Sequence, residues 1–485
     1  MNKENKEKVK KSICPINDCC RPTHKESKYC ILHASAEEKT EEEFKKALKE
    51  YVNKIKKEDS DYVFYGFIFV GKIDFIKDLG INTFKKTIFG EVTFEGGAVF
   101  RNATFEGETD FNGATFKGYA YFRMATFKGY ANFRMATFKG HTNFRNTRFE
   151  GGVVFRNANF KRQTIFERAI FEGEAYFSDI TFKGEASFER ATFKGENYFM
   201  KATFEKHANF VRATFDEDMN FQIKSFNGGA SFKEVSISPG RKLNLKVKNN
   251  KVNVSFEHAY LEDAYLDISL GTDVLIDFTD ALIRNAKIKK DQIKNHILQE
   301  KKKEFSEAQQ VYLLLKNNFH SIGRYEDESW AFKKEKDMER KNYCHFKSLH
   351  KWLWSCFLNA IYGYGERPFR VIVLAIVIII IFASIFMNFG IDANPQLDTI
   401  PKYNILKELF MGIRYGDLLV RLKDISLEQI KNCLYFSTVT FTTLGLGDFR
   451  PIEGWSRIFV GAEAFIGALM MALFIYTFAR RTGGR

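Results

Sequence analysis

Phenylalanine recurs along the first half of the chain with a period that fits neither a helix nor a flat strand. From Phe89 to Phe232 the spacing alternates between five and six residues. One unit is therefore 11 residues, as in F-R-M-A-T-F-K-G-Y-A-N at 122–132. Two positions before most of these rings stands a small residue, such as Ala103, Ala114, Ala125, Ala136 or Ala158. The extra residue of the longer half is often glycine, as at Gly107, Gly118, Gly129, Gly140, Gly184 and Gly195. Such a period predicts a coil with four flat sides, each turning one large and one small residue inward, with the Lys, Arg, Glu and Asp between them facing water. Two units make one coil. Residues 89–232 then stack as about six and a half coils, a rod of about 31 Å at the spacing of paired strands. Residues 62–88 read as an irregular lead-in and the N-terminal cap that a repeat array needs. After a disruption at 236–252 the pattern returns at 259–268 and 276–288. The solenoid is expected over 62–288.

Other stretches obey other periods. Residues 36–58 mix Glu and Lys at helical spacing and predict a solvated helix, within a linker of 36–61. Residues 290–345 predict a helical hairpin turning at Gly323, within a linker of 289–348 that caps the last coil or bridges the solenoid to a membrane. Its lysines could meet anionic lipid headgroups, although the mixed-in acids favour an ordinary solvated face. Residues 349–366 carry Trp352, Trp354, Phe357, Tyr362 and Tyr364, which predicts a helix at the membrane interface. Two apolar runs come next, Phe369–Phe389 and Ile458–Phe478, each 21 residues. Each makes about 31 Å of helix, enough to cross roughly 30 Å of hydrocarbon. A short amphipathic helix is expected over 431–442. An inner helix is expected over 456–479, closing a membrane domain of 367–485.

Composition refines the picture. The net charge of +14 is modest for 485 residues, while 52 Phe against 4 Trp means a repeated structural use of Phe. Acids and bases nearly balance across the repeats. That argues against mimicry of DNA, and no basic stripe with exposed aromatics argues for nucleic-acid binding. The lysine-rich start is no secretory signal, so the N-terminal part is expected in the cytoplasm with reduced cysteines. Both spans are flanked by bases: Arg367 and Arg370, then Arg480, Arg481 and Arg485. The segment 390–428 holds five Lys/Arg and six Asp/Glu. Both termini are then cytoplasmic and 390–428 lies outside, long enough to cap a mouth. No nucleophile–base set or phosphate loop marks an enzyme, and catalytic residues are none. No row of arginines marks a voltage sensor.

Four of the seven cysteines cluster near the start. Cys14 and Cys19, then Cys30 and His33, form two pairs across a short loop in residues 1–35, and thiolate with imidazole favours tetrahedral zinc. A segment with so little apolar core needs a staple. Cys20 and His24 compete for the fourth position. The stretch resembles a small C-x4-C…Y-C-x2-H zinc-binding module.

The residues Thr443, Leu444, Gly445, Leu446, Gly447 and Asp448 resemble the T-V-G-Y-G-D selectivity filter of tetrameric potassium channels. With a short helix before it and a span on each side, 350–485 resembles the pore unit of two-span channels. The Phe-rich repeat resembles the pentapeptide-repeat right-handed β-solenoid. The expected fold is thus a multidomain membrane protein, a quadrilateral β-solenoid followed by an α-helical two-span pore-loop domain. The resemblance implies a homotetramer in the cell membrane conducting K+ through backbone carbonyls. Gly445 and Gly447 would supply the alternating dihedral signs that such a strand needs, Thr443 a hydroxyl ring, and Leu444 and Leu446 outward packing. Thr442, Tyr435 and Phe436 support the filter; the last two stand where the family commonly has paired Trp. The usual filter Tyr is Leu446, so the brace is expected to be apolar and selectivity over sodium is open. Gly467 lies where the family places its hinge glycine, with Gly461 a second candidate and close packing the competing use. Glu463, inside the inner span, is expected to bond behind the filter. Gly363-Tyr364-Gly365 imitates a filter but is a turn into the membrane. The chain stops shortly after the inner helix, so regulation is expected through the solenoid and its unknown cytoplasmic partner or ligand. Two other readings stand beside this one: a weakly selective monovalent cation channel, or an anchored scaffold with a vestigial pore.

Overall fold

The computed structural model describes residues 12–16, 19–248, 251–343, 349–393, 427–451 and 454–482. They form two units that divide after Glu335.

The first unit is the solenoid. Its strands, mostly two residues long, build four parallel sheets of ten, eight, ten and eight strands. Each strand pairs with its counterpart one coil away, so Phe116 lies opposite Phe138 and Phe127 opposite Phe149. Equal rings therefore stack. Phe100, Phe122, Phe144 and Phe166 succeed one another at 4.9, 4.8 and 4.8 Å, within 5° of parallel. Adjacent columns meet edge to face, as Phe111 meets Phe122 at 5.6 Å and 86°. These rings are fully buried. Each contributes about 1.5–3 kcal/mol by leaving water, and offset or edge-to-face pairing adds about 0.5–1.5 kcal/mol.

The corners explain the rest of the period. At one corner of each unit a residue takes the left-handed conformation: Asn102, Met124, Met135, Asn146 and Asn157 have φ of 62°, 60°, 57°, 56° and 60°. The turn closes as the Ala103 N–H donates to the Phe100 carbonyl at 3.2 Å. At the other corner the inserted glycine meets the coil below. A Cβ on Gly118 would lie 2.4 Å from the Gly96 carbonyl carbon, and one on Gly140 2.3 Å from the Gly118 oxygen. The glycine is there because coils stack too closely for a side chain.

Residues 62–88 are not a cap. They are the first coil, pairing Tyr62 with Thr87 and Ile68 with Thr93, and a longer turn between Asp74 and Thr83 hides its period. The cap is the helix Glu41–Glu58, which is not a solvated linker. It buries Phe44, Leu48, Val52 and Ile55 and sets Phe44 against Phe69 at 5.4 Å. The Tyr51 hydroxyl donates to the Val63 carbonyl at 2.5 Å, and Lys56 Nζ to the Leu79 carbonyl at 2.7 Å. Its Glu/Lys surface concealed a buried stripe at 44, 48, 52 and 55. The disruption at 236–252 is a change of residue type. Strand Lys242–Val247 pairs with Met219–Ile223 and Tyr265–Leu270, and Leu243, Leu245 and Val247 replace the rings in the core. Parallel bridges continue through Lys287 to Ile297.

The far end is closed by helices Leu298–Lys302, Phe305–Ser321 and Tyr325–Asn342. Gln299 Nε2 donates to Asp277 and Thr279, each at 2.6 Å. Asn318 Nδ2 donates to the Ala286 carbonyl at 2.8 Å. Gly323 turns the hairpin with φ 70°.

The second unit starts at Lys336, within helix Tyr325–Asn342, and continues with helix Leu349–Tyr362 and the turn Gly363–Gly365. Tyr364 is buried there with φ 58°, its hydroxyl 2.7 Å from Ser355 Oγ. The outer helix Pro368–Phe389, the pore helix Leu427–Phe441 and the inner helix Trp455–Thr482 pack together. Among the described residues, two helices are long and apolar enough to cross a membrane, Pro368–Phe389 and Trp455–Ala479. Strand Ile391–Ala393 runs antiparallel to Phe449–Pro451, joining the end of the outer helix to the stretch after the filter. The expected cap over the mouth falls mainly on 394–426, outside the described residues.

Candidate pore and candidate metal centre

The pore helix ends in a run of threonines that turn back on their own backbone. Thr442 Oγ1 donates to the Thr438 carbonyl at 2.7 Å, and Thr443 Oγ1 to the Thr442 carbonyl at 2.7 Å. The Leu444 N–H closes the helix on Val439 O at 3.0 Å. Beyond it the backbone alternates. Thr443, Gly445 and Gly447 have φ of 56°, 55° and 77°, while Leu444 and Leu446 do not enter the positive region. Alternating handedness turns successive peptide groups the same way, instead of to opposite sides as in a strand. Glycine tolerates it freely and Thr443 at a cost. Leu444 and Leu446 are 68% and 65% exposed in the single chain, so the described residues of their own chain do not cover them.

The two aromatic residues of the pore helix have different duties. Phe436 is buried and meets Phe386 of the outer helix at 4.9 Å, edge to face. It sits in a cluster with Ala383, Ile391 and Cys433. Tyr435 turns the other way. It packs on Phe449 at 5.9 Å and aims its hydroxyl at the Asp448 carboxylate. The expected apolar brace is therefore half polar. It reaches the candidate filter through Asp448, since Leu446 offers no hydroxyl.

Gly467 lies against the pore helix. A Cβ there would lie 2.0 Å from the Phe441 carbonyl oxygen, whereas one on Gly461 would meet nothing within 4 Å. Close packing is the use the structure gives Gly467, and the inner helix runs unbroken through both glycines. Glu463 is fully buried and hydrogen-bonds Ser437 of the pore helix. Ser437 Oγ also lies 2.8 Å from the Ile379 carbonyl of the outer helix. Sequence reasoning missed Ser437 and Phe441. The one available signal was a serine interrupting the apolar face Cys433, Phe436, Val439.

At the other end of the chain, Cys14, Cys19, Cys30 and His33 converge, their ligand atoms all within 4.8 Å of one another. His33 Nδ1 lies 3.6, 3.5 and 3.1 Å from the sulfurs of Cys14, Cys19 and Cys30, and the Cys19 and Cys30 sulfurs are 3.5 Å apart. Tetrahedral zinc with Zn–S of about 2.3 Å and Zn–N of about 2.0 Å needs ligand atoms about 3.5–3.8 Å apart, so the set fits. The second nitrogen of His33 faces the Tyr65 carbonyl at 3.0 Å. A proton on that nitrogen leaves Nδ1 free as a ligand. Burial pushes the Cys19 thiol up to about 12 and holds His33 below its ordinary value. A divalent cation is the counter-charge that would let buried thiols ionise. The competing residues stand aside: Cys20 is exposed, and His24 faces Glu43 at 4.0 Å.

This knuckle is docked on the first coil. The Ile68 N–H donates to the Leu32 carbonyl at 2.9 Å, and His33 meets Phe67 edge to face at 4.9 Å. Lys39, buried, donates to the carbonyls of Ile31, Leu32 and Ile68 at 2.8, 3.3 and 2.7 Å.

Comparison with known families agrees with both halves. An ion-channel family model matches residues 410–483. A model of pentapeptide repeats (9 copies) matches 83–126, 122–170 and 166–214. No curated protein and no solved structure matches the chain. The chain carries a two-span pore-loop ion-channel domain and a pentapeptide-repeat β-solenoid. The membrane is where such a domain works, and an ion is what passes through it.

Proposed function

We propose that four copies of this chain form a potassium channel in the cell membrane. Ions pass passively along rings of backbone carbonyls from Thr443 to Gly447, so the protein is a conductor and not an enzyme. The observation that carries this reading is the alternation of positive φ at 443, 445 and 447 beside two leucines that the described residues of their own chain leave exposed. A carbonyl ring needs copies around an axis, and the same neighbours would cover Leu444 and Leu446. Both termini lie in the cytoplasm by the positive-inside rule, with the solenoid as the regulatory arm that binds a cytoplasmic partner or ligand. Zinc held by Cys14, Cys19, Cys30 and His33 fixes the knuckle to the first coil. Reconstitution in bilayers with potassium on one side and sodium on the other tests the conduction. A reversal potential set by potassium supports it. Equal permeation of both ions favours a weakly selective pore, consistent with Leu446 at the usual tyrosine position. Absence of current leaves the scaffold.

A further inference from the structure

Glu463 belongs to the inner helix, Ser437 to the pore helix and Ile379 to the outer helix. All three meet at one hydroxyl. Ser437 Oγ is 2.8 Å from the Ile379 carbonyl oxygen and hydrogen-bonds the Glu463 carboxyl as well. A hydroxyl has one proton to give, and a carbonyl can only accept. Both contacts are full two-centre hydrogen bonds at once only if Ser437 gives its proton to Ile379 and the carboxyl gives another to Ser437; otherwise one proton is split between two acceptors. The second carboxyl oxygen points the same way. Glu463 Oε2 is buried with no hydrogen-bond partner, and among the described residues no cation pairs with Glu463. An ionised carboxylate buried so would be costly; the neutral acid is far less so.

We propose that Glu463 is a positioning residue for conduction, a neutral carboxylic acid that donates to Ser437 and so fastens the inner, pore and outer helices at one point behind the filter. It touches no ion. It acts through Ser437, four residues before Phe441, where Gly467 presses on the pore helix. This inference rests on the channel reading of the membrane unit, but its chemistry can be read without any current.

Two measurements test it on the full-length protein. Infrared difference spectra of wild type against Glu463→Gln at neutral pH should show the carbonyl stretch of a protonated carboxylic acid, lost in the variant. Loss of carboxylate bands instead overturns the proposal, whether or not the protein conducts. In potassium-loaded vesicles, Glu463→Ala and Ser437→Ala should each lower flux by about tenfold or more, the loss of one buried hydrogen bond, and the double variant should do no worse than the worse single. Glu463→Gln, neutral and still a donor, should keep most of the flux that Glu463→Ala loses. Equal damage from Gln and Ala, with assembly intact on size exclusion, overturns the proposal. So does full flux in Glu463→Ala.

Discussion

Gly467 and Phe441 meet backbone to backbone, so closely that one added carbon on Gly467 would stand 2.0 Å from the Phe441 carbonyl oxygen. Phe441 is the last residue of the pore helix, and the filter starts two residues later. The inner helix thus sets where the candidate filter begins. Gly467→Ala should push the pore helix off its seat, with an overpacking cost of about 1–3 kcal/mol, and abolish or strongly reduce ion flux. Gly461→Ala, whose Cβ would meet nothing, should remain near wild type. Parallel vesicle-flux and thermal-unfolding assays of the two variants check this.

The metal reading predicts one zinc per chain by elemental analysis. Cys30→Ser or prolonged chelation should remove it and lower the unfolding temperature, because metal bound only by the folded knuckle adds its binding free energy to stability. Cys20→Ser should keep full zinc. Retention of zinc in Cys30→Ser would disprove the ligand set.

The ring ladder sets the stability of the solenoid. Phe144→Ala opens a cavity between Phe122 and Phe166, stacked at 4.8 Å on either side. It should cost about 3–5 kcal/mol in denaturant unfolding. Gly118→Ala, on the outer corner, should also destabilise, since its Cβ would collide with backbone of the coil below.

How far the sequence could be read depended on how periodic the physics was. The Phe ladder was legible because identical rings repeat at a fixed interval. The first coil was not, since one long turn between Asp74 and Thr83 shifts its phase. The cap helix reads as solvated because its four buried residues stand among lysines and glutamates. The positive φ at Gly445 and Gly447 was legible in the sequence as the alternation that a candidate filter needs. The Tyr435–Asp448 contact was not, because it joins residues 13 positions apart through a turn that no local pattern encodes. The same holds for Ser437 and Glu463, 26 positions apart.

Glu43 gives a pH dependence with a definite sign. A hydrogen bond from Lys25, then the Thr40 backbone N–H and hydroxyl, hold its carboxyl down at about 2. Its folded value lies below the ordinary 4.5, so its contribution is present above that value and fades as pH falls from 4.5 through about 2. The cap helix should loosen over that window, and Glu43→Gln should flatten the response. Circular dichroism during acid titration of both proteins measures it.

The central claim is that several copies of one chain bring the Thr443–Gly447 carbonyls around an axis to replace the water shell of potassium. The most direct test is the reversal potential of the purified full-length protein in a planar bilayer, with potassium chloride facing sodium chloride. The account predicts a shift toward the potassium equilibrium potential that disappears when Gly445 is replaced by alanine. No current, or a current indifferent to which cation is present and unchanged by Gly445→Ala, would contradict it.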